Sequence, residues 1–163
     1  MDKKAAAIQP AMSPAPKVLI SCRGADGKDN ALAVAYCSNC SYDPPMVMVG
    51  IVPSRHSYEM VKQTGCFVVN LVEEGYRDTF DYLGSVSGRD EDKLAVKNVA
   101  LAPAEVVNAP LLADCPVNME CTVVDSIRTG SHEMFVGRIE RIHARADLVA
   151  EDGKLNLSGL NLL

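Results

Sequence analysis

The residues best suited to bind a ligand begin with a basic, hydroxyl-rich cluster, which consists of Ser54, Arg55, His56 and Ser57. The cluster comes just before a short helical pattern over residues 58–64, which Gly65 can end. The N-terminus of a helix has free N–H groups and a partial positive charge, and its usual anionic ligand is a phosphate. Ser57 could instead simply cap the helix, but a cation such as Arg55 is unfavourable there unless an anion is present. The cluster therefore predicts a phosphate site.

A second polar segment lies upstream, between two apolar runs at residues 31–35 and 46–52. Its residues are small, so a flat ligand could lie against exposed backbone; they are Ser38, Asn39, Cys40 and Ser41. The first apolar run would add Asn30, Ala31 and Ala35 to the same site. A surface for a flat ring with polar edges, next to a phosphate site, is what flavin mononucleotide (FMN) requires. Aromatic residues are only 5% of the chain, so backbone and small side chains would have to hold the ring.

The pattern along the chain predicts many short strands with a few short helices. Strands are expected at residues 18–22, 30–35, 46–52 and 66–71, and two longer ones at 118–127 and 133–143. Asp26-Gly27 predicts a tight turn, and residues 128–132 predict a hairpin loop. Helices are expected at residues 76–83 and after Asp90, which can cap a helix running through Lys93 and Lys97. The fold class is therefore mainly β, a barrel and not a βαβ sheet, and no Rossmann or P-loop motif is present.

Length and composition indicate one domain and exclude some functions. With 163 residues, 48% of them hydrophobic, the chain can form one core. A net charge of −5 argues against a nucleic-acid partner, and no apolar run is long enough for a membrane span. Pro10 and Pro14 interrupt the N-terminal segment, which does not resemble an export signal, so a cytoplasmic location is expected. We predict an arm at residues 1–16, a domain at 17–150 and a tail at 151–163.

Six cysteines allow disulfide, metal or redox interpretations. Cys37 and Cys40 form one CxxC, but no second CxxC or HxxxH completes a zinc site, and no metal site is predicted. Cys22, Cys66 and Cys121 lie in apolar segments and are expected to be small buried residues. A redox role for Cys37 or Cys40 stays open.

Over nearly its whole length the chain resembles the flavin reductase-like proteins on the FMN-binding split β-barrel, especially the flavoredoxin and ferric reductase-like branch. The resemblance rests on successive segments in family-like order: PAPKVLISCRGADGKDNALAVA, SYDPP, SRHSYEMVKQTGCFVVNL, GSVSGRDEDKL, APLLADCPVNMECTVV and TGSHEMFVGRIERIHA. It implies a split β-barrel that binds FMN at a homodimer interface. It also implies NAD(P)H as a transient electron donor, with a small molecule or a partner redox protein as acceptor.

The resemblance adds further candidate site residues. The loop of residues 130–132 corresponds to a Gly-Asp-His loop whose histidine lies near the flavin, which makes His132 the catalytic candidate; here Ser131 replaces the acidic residue. The alternative for His132 is a solvated or structural turn residue. By the same resemblance, Ser87, Arg89 and Lys93 approach the cofactor or the partner subunit.

Two alternatives to a reductase remain at this point. One is a non-enzymatic FMN-binding electron carrier, and the other is a thiol-based redox sensor that uses Cys37 and Cys40. The tail is shorter than in this branch of the family and amphipathic, with little to bury it in one subunit, so it is expected to pack on a partner.

Overall fold

The structure, a computed structural model, describes residues 1–163 and is mainly β, as predicted. Its strands are β1 (Val18–Arg23), β2 (Asp29–Val34), β3 (Cys37–Ser41), β4 (Met46–Ile51), β5 (Cys66–Leu71), β6 (Leu101–Ala102), β7 (Leu111–Leu112), β8 (Val117–Thr129) and β9 (His132–Ala144). Its α-helices are α1 (His56–Thr64), α2 (Arg77–Ser85) and α3 (Lys93–Val96), and short 3₁₀ turns occur at Glu74–Tyr76 and Ala146–Leu148. None of the helices has the length and apolar character needed to cross a membrane.

Seven strands form one sheet in the order β2-β1-β5-β8-β9-β4-β3, in which every pairing is antiparallel. The strands β2 and β4 are far apart in that order, yet Leu32 of β2 and Val49 of β4 lie in one hydrophobic core. The sheet is therefore curled. Tyr58 and Val61 of α1 pack into the same core. A curled sheet with two free edges is the split barrel that the resemblance implied.

A second layer covers β1 and β2 on the outside of the curl. Phe80 and Leu83 of α2 pack against Leu19 and Ala31, so that β1 is buried on both faces. A Cβ atom at Gly84 would lie 2.8 Å from the Cβ of Ala33, and the glycine therefore allows α2 to approach β2 closely. The outer face of β2 is thus covered, whereas much of β3, at the other edge of the sheet, is exposed.

Several local predictions were correct and others need correction. Gly27 and Gly65 have positive φ angles of 81° and 68°, as the predicted turn and helix end require. Residues 38–41, for which the sequence predicted only a polar segment between two apolar runs, are part of strand β3. Helix α1 begins at His56 and α3 ends at Val96, and Asp92, not Asp90, caps α3 by accepting the N–H of Ala95 at 3.1 Å.

The C-terminal tail packs on its own chain, which corrects the expectation that it needs a partner. Leu163 donates its backbone N–H to the carbonyl of Val72 at 3.0 Å, and the carbonyl of Asn161 accepts the N–H of Glu74 at 2.8 Å. Leu163 also packs against the cluster beneath α2. These contacts close one end of the second layer within a single subunit.

Candidate functional site

A cavity of about 260 Å³ lies between β2, the start of α1 and the loop that follows α2. The structure brings predicted residues from all three segments to its wall, and these are Asn30, Ser54, Arg55, His56, Ser57, Ser87, Arg89 and Lys93. Residues that are far apart in the chain therefore converge on one space, because α1 and the loop both pack against β2.

Asn30 joins the strand to the helix at the base of this cavity. Its side-chain amide donates to the hydroxyl of Ser57 at 2.8 Å, and both residues are almost fully buried. Ser57 is therefore not the cap of α1; the N-cap position belongs to Arg55, which makes no side-chain capping bond. A Cβ atom at Gly88 would lie 2.7 Å from Oδ1 of Asn30, so only glycine lets the loop approach this closely.

The loop is tied to the segment before α1 by Arg89. Its guanidinium donates to the carbonyl of Ser54 at 2.8 Å, which fixes one positive charge beside the start of the helix. The hydroxyl of Ser87 accepts the N–H of Arg89 at 3.2 Å and shapes the turn. Ser87 and Arg89, which the family resemblance added as candidates, thus form part of one site with the basic cluster.

Lys93 is the least expected group in the cavity wall because it is 3% exposed. Its ammonium donates to the carbonyls of Leu83 and Val86 at 2.6 and 2.9 Å, which leaves one of its three N–H groups unused by these bonds. Burial lowers the pKa of Lys93 to about 8, and the neighbouring charge of Arg55 acts in the same direction. A buried cation next to a second cation is costly unless an anion joins them.

The charges around the cavity are unbalanced. Arg55, Arg89 and Lys93 line it together with His56, and no carboxylate does. Partial burial lowers the pKa of His56, and the charge of Arg89 lowers it further. The free N–H groups at the start of α1 add partial positive charge. The site is therefore suited to an anion of the size and charge of a phosphate.

Other predicted residues do not reach this cavity. The side chain of Ala31 is fully buried against the second layer and does not line the cavity. Ala35 is exposed beyond the end of β2. Residues 38–41 lie on the edge strand β3, where Ser38, Asn39 and Cys40 are exposed.

His132 begins β9, and the structure places it beside the segment that leads into the site. Ile51, the last residue of β4, pairs with Glu133, and the carboxylate of Glu133 accepts the hydroxyl of Tyr58 in α1. The imidazole of His132 packs edge-on to the ring of Tyr36, and its Nδ1 lies 2.8 Å from the hydroxyl of Ser131. The ring is thus held in place and only partly exposed, but it does not line the 260 Å³ cavity.

The CxxC pair is poorly arranged for redox chemistry. Cys37 points into the core, where burial raises the pKa of its thiol to about 11, whereas Cys40 is exposed. The pairing of β3 with β4 is irregular between Asn39 and Ser41, and Cys40 at this point does not share the buried position of Cys37. Cys22, Cys66 and Cys121 are buried, as predicted.

Sequence reasoning missed the residues that build the floor of the site. Gly84 and Gly88 permit close packing, and the carbonyls of Leu83 and Val86 hold Lys93 in place. The sequence did contain a signal for this packing. Two glycines four residues apart, near the end of a predicted helix, indicate that the backbone there approaches another element closely.

Comparison with known proteins identifies related sequences and structures. The family model described as "Flavin reductase like domain" matches residues 11–157. A protein of Aeropyrum pernix is 30% identical over 122 residues, which are 74% of this chain and 46% of that protein, so the chain spans about half of that relative's length. FMN reductase (NADH) RutF 1 of Methylorubrum extorquens is 31% identical over 142 residues, or 86% of this chain and 68% of the reductase.

A solved structure of flavoredoxin from Methanosarcina acetivorans has the same overall fold. It is 27% identical to this chain, with a TM-score of 0.90, and the match covers 99% of this chain and 85% of the flavoredoxin. The match therefore extends over nearly the whole chain.

Proposed function

The chain belongs to the family of flavin reductase like domains, and from that premise we propose that it binds FMN and transfers electrons from NAD(P)H to a small acceptor. The observation that carries this proposal is the carboxylate-free cavity, where Lys93 is buried beside Arg55 and Arg89. The names of an FMN reductase and a flavoredoxin among the similar proteins support the same proposal.

The residues of the cavity fit the terminal phosphate of FMN. Arg55, Arg89 and Lys93 would bind its oxygens by charge-assisted hydrogen bonds, and the hydroxyl of Ser54 and the N–H groups of α1 would complete the contacts. Gly88 keeps the loop close enough for all of them to act on one group. No second cluster of this kind was apparent in the sequence, which favours FMN over a flavin with two phosphates as the resident cofactor.

When held by Arg55, Arg89 and Lys93, FMN would supply the chemistry of hydride and electron transfer between a nicotinamide and a second acceptor. The chain positions the reactants and excludes water. We propose that the free backbone groups of the β3 edge, with Ser38, Asn39, Cys40 and Ser41, contact the ring in a homodimer. His132 would place a polar group beside the nicotinamide, and its contacts with Tyr36 and Ser131 hold the imidazole in one orientation.

A non-enzymatic electron carrier is the second candidate, favoured by the structural similarity to a flavoredoxin. A carrier would use the same phosphate cavity but would receive electrons from a protein. The proposed location is the cytoplasm, and the terminal acceptor in either case is a small molecule or a partner redox protein.

Anaerobic addition of NADH or NADPH to the purified, FMN-loaded protein separates the two candidates. A reductase bleaches the flavin absorbance within the time of a turnover, on the order of seconds or less. A carrier stays oxidised until a redox partner is added. Failure of the protein to bind added FMN at micromolar concentration would contradict both.

A further inference from the structure

Glu133 of β9 connects three elements through its side-chain carboxylate. One carboxylate oxygen accepts the hydroxyl of Tyr58 in α1, and the other accepts the hydroxyl of Ser126 in β8 at 2.6 Å. The ammonium of Lys62 donates to the same Tyr58 hydroxyl at 3.0 Å. Because an ammonium can only donate, the tyrosine keeps its own proton for Glu133. The hydrogen bonds from Ser126 and Tyr58 lower the pKa of Glu133, which is therefore ionised at neutral pH.

This network lies where the β8–β9 hairpin leaves the sheet. Glu133 is the residue of β9 nearest the hairpin loop that still pairs with β4, opposite Ile51, and His132 beyond it pairs with Thr129 of β8. Residues 124–129 of β8 are exposed, and β9 is the one strand that pairs with them. The end of the hairpin that carries His132 thus projects from the sheet, and the carboxylate of Glu133 ties it to α1.

Helix α1 is a firm support for this contact. Tyr58 is 5% exposed, and its ring packs against that of Phe135 with 5.7 Å between the centroids. The same helix follows Arg55 directly and carries His56 and Ser57 of the phosphate cavity in its first turn. Tyr58 therefore connects the hairpin to the element that would bind the phosphate of FMN.

His132 itself contacts a different part of the sheet. Its ring packs edge-on to that of Tyr36, with 4.8 Å between the centroids. The carbonyl of Tyr36 accepts the N–H of Gly50 in β4 at 2.7 Å, which fixes the tyrosine to the sheet. A displacement of the hairpin end would change the edge-on contact, because His132 would move with the hairpin and Tyr36 would not.

We propose that Glu133, held by Tyr58, is a positioning residue for His132. The proposal rests on the proposed function, in which the imidazole lies beside the nicotinamide. The network fixes the hairpin end against α1, so the imidazole keeps a constant distance from the phosphate cavity. Neither Glu133 nor Tyr58 lines that cavity, and loss of the network should leave the phosphate contacts intact.

Tyr58→Phe tests the proposal because it removes the hydroxyl and keeps the ring against Phe135. Tyr82→Phe is the matched control, since Tyr82 of α2 also donates its hydroxyl to a glutamate, Glu91, outside the hairpin. Ser126→Ala breaks a bond within the hairpin, where the β8–β9 ladder remains, and should have a smaller effect than Tyr58→Phe. Thermal unfolding of each variant establishes that the fold is retained.

NMR of the histidine rings in the ligand-free protein measures the position of the imidazole. The ring current of Tyr36 displaces the ring-proton resonances of His132 from those of an exposed histidine. We expect these resonances to move toward the exposed values in Tyr58→Phe and to stay unchanged in Tyr82→Phe. The spectrum of His132→Ala identifies the signals, and His143, near the other end of β9, is an internal reference.

Anaerobic stopped flow on the FMN-loaded protein provides a second measurement. We expect Tyr58→Phe to slow the reduction of flavin by NADH about threefold to tenfold, at unchanged FMN affinity, because residues in one network couple on this scale. In a His132→Ala background, Tyr58→Phe should cause no further loss. A positioning residue has no effect once the group that it positions is absent.

The proposal is overturned if the His132 resonances of Tyr58→Phe match those of the parent, or if Tyr82→Phe displaces them equally. It is also overturned if the rate losses of Tyr58→Phe and His132→Ala multiply in the double variant. The NMR measurement requires neither FMN nor NADH. If the protein does not bind FMN or is not reduced by NADH, the proposed function fails, and the NMR result alone decides whether Glu133 and Tyr58 position the imidazole.

Discussion

At the scale of single residues, Arg55 is the cation of the phosphate cavity closest to the start of α1. It occupies the N-cap position with an extended backbone and makes no side-chain capping bond. Arg55 lines a cavity without carboxylates, so no side chain there balances its charge. An anionic ligand would supply the missing negative charge. The affinity for FMN should accordingly depend strongly on this side chain.

We predict that Arg55→Ala weakens FMN binding by about 1.5–3 kcal/mol, the usual contribution of a hydrogen bond to a charged group. Quenching of flavin fluorescence measures the dissociation constant. Arg138→Ala is the matched control, because Arg138 pairs with Glu140 on β9 and lies outside the cavity wall. Equal affinity of Arg55→Ala and the parent would refute the phosphate assignment.

Lys93 should make FMN binding dependent on pH. Its pKa of about 8 means that the ammonium loses its proton above pH 8 in the absence of ligand, and a bound phosphate favours the protonated form. Affinity should therefore be highest below pH 8 and fall as the pH rises, by up to about tenfold per pH unit. Dissociation constants between pH 7 and 9.5 test this, and Lys93→Met should bind more weakly with a flatter profile. An identical slope in that variant would assign the pH dependence to another group.

His132 should affect the rate of flavin reduction and not FMN affinity, because the phosphate contacts lie elsewhere. Loss of one positioned polar group typically slows a reaction about 10²-fold, or about 2.7 kcal/mol in the barrier. We expect this loss in His132→Ala when bleaching by NADH is followed by anaerobic stopped flow. Ser131→Ala, which keeps the imidazole but removes its neighbour at 2.8 Å, should have a smaller effect. If the flavin of His132→Ala is reduced as fast as that of the parent protein, His132 has only a structural role.

At the scale of elements, a buried carboxylate fastens an irregular segment to the sheet. Glu120 of β8 is fully buried and accepts the backbone N–H groups of Glu105, Val106 and Val107 at 2.9, 2.7 and 2.9 Å. His143 of β9 donates Nε2–H to the same carboxylate at 2.6 Å. The segment of residues 104–110 therefore packs on the outside of β5 and β8 through this ionised group as well as through the apolar contacts of Ala104, Val107 and Ala109.

This arrangement predicts an acid-sensitive contribution to stability. Burial alone would raise the pKa of Glu120, but the hydrogen bonds from Glu105, His143, Val107 and Val106 outweigh it and lower the pKa to about 2. Because the folded pKa lies below the ordinary 4.5, the contribution is complete above pH 4.5 and is lost as the pH falls toward 2. The shift corresponds to about 3 kcal/mol.

We expect Glu120→Gln to lower the free energy of unfolding by about 2–3 kcal/mol at pH 7. The variant should also lose part of the dependence on pH between 4.5 and 2, as measured by urea unfolding across that range. Glu140→Gln is the control, since Glu140 pairs with Arg138 at the surface and should contribute less than about 1 kcal/mol. An unchanged free energy of unfolding in Glu120→Gln would show that the buried charge does not stabilise the fold.

At the scale of the whole molecule, the exposed edge of β3 bears on assembly. Ser38, Asn39 and Cys40 leave this edge uncovered, and Tyr36 and Tyr42 on either side of the strand are 44% and 97% exposed. An uncovered edge strand readily pairs with another chain. The argument for a homodimer now rests on this edge, because the tail packs within the subunit.

We predict a homodimer at micromolar concentration, with a sedimentation mass of twice 17.5 kDa. Cys40→Lys, which places a charge on the exposed edge, should shift the protein toward monomer and weaken the contacts proposed for the flavin ring. Ala150→Lys, at an exposed position outside the strands, should leave the mass unchanged. A stable monomer of the parent protein would contradict the proposal.

Features that depend on local patterns could be predicted from the sequence. Strand periodicity, the Asp26-Gly27 turn and the helix end at Gly65 are properties of a few neighbouring residues, because side-chain alternation and a positive φ act over short range. The basic cluster at residues 54–57 was recognised in the same way, from a helix start that carried an arginine and hydroxyl groups.

Contacts between distant residues could not be predicted from such patterns. Glu120 alternates with apolar residues and resembles a solvent-facing strand position, yet a segment more than ten residues away covers it. Lys93 resembles an ordinary helix residue until the loop after α2 folds over β2 and buries its ammonium beside Arg55. Burial and charge proximity depend on packing between elements, and packing is a property of the folded chain that no local pattern encodes.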